Sequence, residues 1–207
     1  MPDCFAVLGL ECSPVVDVEA VERAYARQAR EVHPDRVGGS GEGMAELNLA
    51  RKTLTQPALR IAHYLELRGY PLVERGVIPE VVGALFGEVA SGLNRARSAV
   101  EKRASAASSI ARAVAEGEVR EAARVVNGLE ARVREQAGVL EAGVREWAVA
   151  GDREFGELDA LRRAFAFIAR WQEQLAEVRA VLGGATGGAS GGRGGAWSAG
   201  FPALEWR

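Results

Sequence analysis

Apolar residues recur at three- and four-residue steps through most of this chain, and the pattern predicts helices separated by short breaks. The clearest stripe is Phe155, Leu158, Leu161, Phe165, Ile168, Trp171, Leu175, Val178 and Leu182, which sets one continuous apolar face along a helix. A second runs through Val126, Leu129, Val133, Leu140, Val144 and Trp147, and a third through Ile78, Val82, Leu85, Val89, Leu93, Ala96 and Val100. Three amphipathic helices with short connections predict a three-helix bundle over residues 76–182, each stripe hidden against the other two. Gly151-Asp152 supplies the turn before the last helix. Gly117, Gly128, Gly138 and Gly143 run against the middle helix, at up to about 1 kcal/mol each relative to Ala, and nothing in the sequence explains them.

Residues 1–75 carry a different rhythm. Phe5, Val7, Leu8 and Leu10 form a short apolar element ending near Ser13-Pro14. Asp17 is an N-cap for a helix to Val32, with Val18, Val21, Tyr25, Ala29 and Val32 along one side. A further helix from about Met44 to Arg68 carries Leu47, Leu54, Ile61, Tyr64, Leu65 and Leu67; it bends at Gln56-Pro57, and Gly69-Tyr70-Pro71 ends the region. Between these two helices lie His33-Pro34-Asp35 and a Gly-rich connector, Gly38 to Gly43. Proline cannot continue the helix and pushes the residue before it out of helical geometry, so the tripeptide reads as the tip of a helical hairpin. The fold class is therefore all-α: a helical hairpin, a three-helix bundle, and residues 183–207 as a Gly-rich tail expected to be flexible. That tail ends in Trp197, Phe201 and Trp206, either a disordered terminus or a short aromatic docking segment.

Composition narrows the function. At 207 residues, 48% hydrophobic and 26% charged, the chain has the make-up of a soluble globular protein. A net charge of −2 provides no long-range field toward nucleic acid or anionic membrane, so neither is expected as a partner. Cys4 and Cys12 are the only cysteines, too few for a disulfide framework or a four-ligand metal site. No basic-then-apolar leader opens the sequence, and no apolar run reaches the roughly 18 residues of a membrane span. A reducing cytoplasm fits these features best.

The candidate chemistry gathers at the hairpin tip. Arg23, Arg27 and Arg30 share one helix face before the tripeptide, and Arg36 extends the charge beyond it. An exposed imidazole and carboxylate above an Arg face suggest a docking surface for an acidic partner, where charge sets orientation and on-rate more than affinity. Catalysis is a poor reading, because no nucleophile pairs with His33. Metal binding is equally poor, because the other imidazole, His63, sits mid-helix and reads as a satisfied or half-exposed helix residue. The Gly38 to Gly43 connector lacks the Lys-Ser/Thr of a phosphate loop and follows a helix, not a strand. No cofactor is called for.

The phrase Tyr25-Ala26-Arg27-Gln28-Ala29-Arg30-Glu31-Val32-His33-Pro34-Asp35-Arg36 resembles the second helix and signature loop of a J-domain. Asn48 to Leu54, Pro57, and Arg60-Ile61-Ala62-His63-Tyr64-Leu65 up to Gly69 are similar to the third helix of one branch, the HscB co-chaperones of iron–sulfur cluster assembly. The resemblance implies a J-domain over 1–75, a client-binding bundle over 76–182, and no enzymatic activity in the chain itself. It implies an HscA/DnaK-class ATPase as partner, contacted by His33, Pro34, Asp35, Arg23, Arg27, Arg30 and Arg36. It also implies an IscU-like scaffold protein as client, met by an apolar patch of Leu85, Phe86, Val89 and Phe167. Phe167 lies about 100° from the centre of its helix's core stripe, a shoulder position. Three departures stand out: Gln28 in place of an apolar residue, no acidic phrase after the patch beyond Glu88, and the Trp-bearing tail. Such departures leave room for a J-protein with a different client, or for a helical adaptor with a chance His-Pro-Asp.

Overall fold

The computed structural model describes residues 2–32, 41–73, 79–150 and 154–186. Asp3 starts the first helix, α1 (Cys4–Leu8), its Oδ1 accepting from the amides of Phe5 at 2.9 Å and Ala6 at 3.2 Å. Gly9 ends it with φ of 65°, a left-handed conformation that glycine adopts without a Cβ penalty. Asp17 caps α2 (Val18–Val32), accepting from the Glu19 amide at 3.0 Å. The inward face of α2 is narrow: Val21 and Ala24 are buried, whereas Val18, expected on that face, is 47% exposed.

Helix α3 (Gly41–Thr55) begins in the Gly-rich stretch, earlier than Met44. The expected bend at Gln56-Pro57 is a full break. Gln56 is extended, with φ −98° and ψ 115°, and Pro57 opens α4 (Pro57–Leu67), where its missing N–H costs nothing. Gly69, with φ of 73°, turns the chain after α4.

The bundle consists of α5 (Glu80–Ser105), α6 (Ser109–Val149) and α7 (Phe155–Thr186), each packed on the other two. The described residues hold these seven helices and no strand, so the all-α class stands. The stripe residues of α6 and most of those on α5 and α7 are buried. Helix α6 is longer than its stripe, starting where Ser108 Oγ accepts from the Ala111 amide at 3.1 Å. Helix α7 continues past Leu182 through Gly183 and Gly184, because nothing in those residues ends a helix that packing has already built. Residues 187–207 lie outside the described residues.

The glycines of α6 now have an account. A Cβ at Gly117, Gly128 or Gly138 would meet open space, and at Gly143 only ordinary contact with Leu161 at 3.5 Å. They are losses of helix propensity that tertiary packing overrides. Gly92 of α5 differs: a Cβ there would sit 2.3 Å from Leu129 Cδ1, so this glycine lets α6 seat a leucine on the α5 backbone.

The core runs without interruption from Phe5 to Leu182, across the junction near residue 75. Helix α4 is the shared element, packing on α3 and on α7. Tyr64 meets Trp147 edge-on at 6.1 Å, Trp147 meets Phe155 at 5.9 Å, and Phe155 meets Tyr70 at 5.8 Å. This aromatic chain ties the end of the N-terminal layer to the α6–α7 turn, where the Trp147 indole N–H donates to the Glu154 carbonyl at 3.2 Å. Beside it, buried Asp159 accepts from Arg162 Nε at 2.6 Å, and Arg163 Nε lies 3.3 Å from its other oxygen. Arg162 also donates to the Val73 carbonyl at 2.9 Å, holding the start of the connecting segment against the bundle.

Candidate functional site

With so little apolar surface on α2, polar contacts fix the hairpin. The Tyr25 hydroxyl donates to Asn48 Oδ1 at 2.8 Å, and Arg51 Nε donates to Glu22 at 2.9 Å. The Arg51 guanidinium also stands 4.8 Å over the Tyr25 ring, a cation–π arrangement. The Gln28 amide lies over Gly9, 3.9 Å from where a Cβ of that residue would be.

Two buried polar side chains brace this hairpin from below. Arg60 is 6% exposed; its Nε donates to the Pro14 carbonyl and its Nη1 to the Leu54 carbonyl, both at 2.9 Å. Leu54 is in the last turn of α3, whose carbonyls lose their helical partners at the Pro57 break. Arg60 thus joins the α1–α2 connection, α3 and α4 with one planar fork. Burial lowers its affinity for the proton, offset in part by Glu141. His63, 3% exposed, accepts from the Cys4 amide at 2.9 Å through Nε2 and stacks on Phe5 at 5.7 Å. It is a structural histidine anchoring α1, as its mid-helix position suggested. Burial also pushes the Cys4 and Cys12 thiols up, so both stay protonated near neutral pH. Among the described residues no group of three His, Cys, Asp or Glu side chains is placed to hold a metal ion.

This bracing presents one face of α2 to solvent. Arg23, Ala26, Arg27 and Arg30 are all exposed and, with Glu31, line a shallow open depression. Arg23 pairs with Asp17 at 3.3 Å and Glu19 at 3.5 Å, exposed ion pairs of the kind worth about 0–1 kcal/mol and readily exchanged for a partner's carboxylates. His33, Pro34, Asp35 and Arg36 lie outside the described residues. Helix α2 ends at Val32, the residue before the tripeptide in sequence, and Val32 is half-buried against the core.

The four candidate residues of the bundle patch divide in two. Leu85 and Val89 point inward, at 5% and 1% exposed. Phe86 and Phe167 are half-buried, and both rings pack on Trp171, at 6.3 and 6.0 Å. The surface contribution is therefore an aromatic pair on a tryptophan base, with the two aliphatic residues beneath it. Glu88, the acid beside the patch, is paired with Arg132 of α6.

Sequence reasoning missed Arg60, Asp159 and Trp171 as organising residues. A signal for the first was present: an arginine on the apolar side of a helix, next to Ile61, beside a proline break. Asp159, followed by Arg162 and Arg163, carried the i,i+3 and i,i+4 spacing of a local ion-pair cluster. Trp171 was visible only as one more stripe residue.

No family model matches the chain. It is similar to the co-chaperone protein HscB homolog of Cupriavidus taiwanensis, with 36% identity over 75 residues, covering 32% of this chain and 43% of that protein. The chain thus spans less than half the length of the curated relative it matches. No helix among the described residues is long and apolar enough to cross a membrane.

Proposed function

We propose that this chain is a J-type co-chaperone, which stimulates ATP hydrolysis by an HscA/DnaK-class chaperone and delivers an iron–sulfur scaffold protein to it in the cytoplasm. The observation that carries the reading is the braced α2–α3 hairpin: its exposed arginine face leads straight into His33-Pro34-Asp35. The partial likeness to an HscB homolog agrees with it. In this reading Arg23, Arg27, Arg30 and Arg36 orient the hairpin on an acidic face of the ATPase. Asp35 pairs with a partner arginine, and His33 holds the loop by a hydrogen bond. These contacts accelerate hydrolysis only to the extent that they strengthen in the transition state. The chain itself performs no chemistry; its role is to couple two binding events.

The client side rests on Phe86 and Phe167 over Trp171, with Leu85 and Val89 supporting them from the core. Residues 1–75 form the J-domain and 76–182 the client-binding part, joined through α4. A different client remains compatible with the same ATPase contact, and Glu88, already paired with Arg132, favours this second reading over an acidic client-binding phrase.

The test is single-turnover ATP hydrolysis by HscA or DnaK with the wild-type protein, His33→Gln and Asp35→Asn. Stimulation by the wild type and its loss in both variants is the expected result. Equal stimulation by all three would sink the mechanism and leave a helical adaptor. For the client, Phe86→Ala should weaken scaffold binding about tenfold, the range of an aromatic interface anchor. Recovery of a different protein, with no scaffold binding by the purified chain, would select the second reading.

A further inference from the structure

The seam between α5 and α7 opens, toward the C-terminal ends of both helices, into an apolar groove of about 280 Å³. Its walls are Ala96, Val100 and Ala104 on one side and Val178 and Val181 on the other, with Arg97 and Glu101 beside them. Ala96 and Val178 are buried and form the floor, while Val100 and Val181 remain half-buried. The α5–α6 seam also opens, into a wider cavity of about 540 Å³, but its lining of Arg95, Ser98, Lys102, Glu118 and Glu121 is polar; the α5–α7 groove, walled by alanine and valine, is where a further apolar group fits.

The chain itself carries a suitable occupant. Helix α7, one wall of the groove, ends at Thr186, about 12 Å along the axis from Val178 at 1.5 Å per residue. Beyond it six of the nine residues 187–195 are glycine, and Ala196 to Arg207 then holds Trp197, Phe201, Leu204 and Trp206. A Gly-rich connection of that length has a root-mean-square reach of roughly 17 Å, which matches the distance back to the groove. Glu205 and Arg207 also complement Arg97 and Glu101 in charge. A second copy is a poorer occupant, because five alanine and valine side chains offer little of the roughly 1,000 Å² that a specific interface buries.

We propose that the segment from Trp197 to Trp206 docks in cis into the α5–α7 groove, its rings against Val100, Val178 and Val181. A short Gly-rich link gives an effective concentration on the order of 1 mM. A segment whose free peptide binds with a Kd of about 0.1 mM is then docked about 90% of the time. Phe86 and Phe167 lie on the same seam, about 15–20 Å nearer the start of the two helices, so the docked segment closes the end of the seam that the aromatic pair leaves open. This inference stands whether or not the chain is a co-chaperone.

The test compares amide NMR spectra of the full chain and its Trp197→Ser/Phe201→Ser/Trp206→Ser variant. The expected result is a set of shift changes concentrated at Val100, Ala104, Val178 and Val181. A synthetic peptide of residues 196–207 added to the variant should restore the wild-type positions, with a Kd at or below about 0.1 mM. Val181→Lys should produce the same loss in the full chain and, added to the serine variant, abolish the rescue. Coincident spectra in α5 and α7 would overturn the proposal, as would a peptide that binds elsewhere. Differences that fade on dilution, with a dimer mass at high concentration, would assign the groove to a second copy and overturn it equally.

Discussion

The hairpin and the bundle are both helical, but they are held together by different forces. Helix α2 fully buries only Val21 and Ala24, packs Tyr25, Ala29 and Val32 partly on the core, and adds the Tyr25–Asn48 and Glu22–Arg51 contacts and the arginine–tyrosine stack. Helix α7 buries a stripe from Leu158 to Leu182. Exposed polar pairs contribute about 0–1 kcal/mol each, whereas a fully buried aliphatic side chain contributes about 1.5–3 kcal/mol. The hairpin therefore opens locally at lower cost than the bundle, the usual place in a fold for an element that must engage a partner.

The largest effect that sharpens this contrast is expected at Leu175, which is 0% exposed. Leu175→Ala should cost about 2–5 kcal/mol, read as a lowered denaturation midpoint with an unchanged m-value. A comparable loss from Ala24→Gly on α2 would break the contrast. Next comes Arg60→Met, which keeps the apolar stem but strips the Pro14 and Leu54 carbonyls of their donor. Its expected cost is about 2 kcal/mol, with amide exchange accelerated in α1–α3 before α7. Tyr25→Phe should cost less, roughly 0.5 kcal/mol, and raise exchange in α2 while leaving the bundle unchanged. A gain in place of a loss separates the glycines: Gly128→Ala should raise stability by up to about 1 kcal/mol. Gly92→Ala should fail to gain, since its methyl displaces Leu129. Equal gains at both positions would show that the close approach of α5 and α6 is not maintained in solution.

Much of the bundle was legible because its stripes repeat at the helical period over long spans, and burial in the structure follows them from Val82 to Leu182. The α3–α4 break was legible as a bend, because proline acts locally. What could not be read was the joining of the two regions. The contacts of Tyr64 with Trp147 and of Tyr70 with Phe155 link residues far apart in sequence, and no periodicity encodes them. Burial within the candidate patch was equally hidden. Leu85, Phe86 and Val89 lie within two turns, yet one residue's rotation about the helix separates a core leucine from a half-buried phenylalanine. The glycines of α6 misled for the opposite reason, since propensity weighs each position alone while the bundle stabilises the helix as a whole.

Helix α4 has one further consequence. Because Ile61, Tyr64 and Leu65 belong to a core that continues into α7, the two halves are not beads on a string but the arms of one bracket. Two partners gripping a flexible tether can each settle freely and meet at a range of angles, whereas two partners gripping a bracket have their relative pose set in advance. A rigid mount spares the orientational entropy that a tethered pair must give up, and it rejects any pair whose shapes do not match that single angle. In the proposed function, selectivity for a matched pair thus resides in the mount, at residues that touch neither partner.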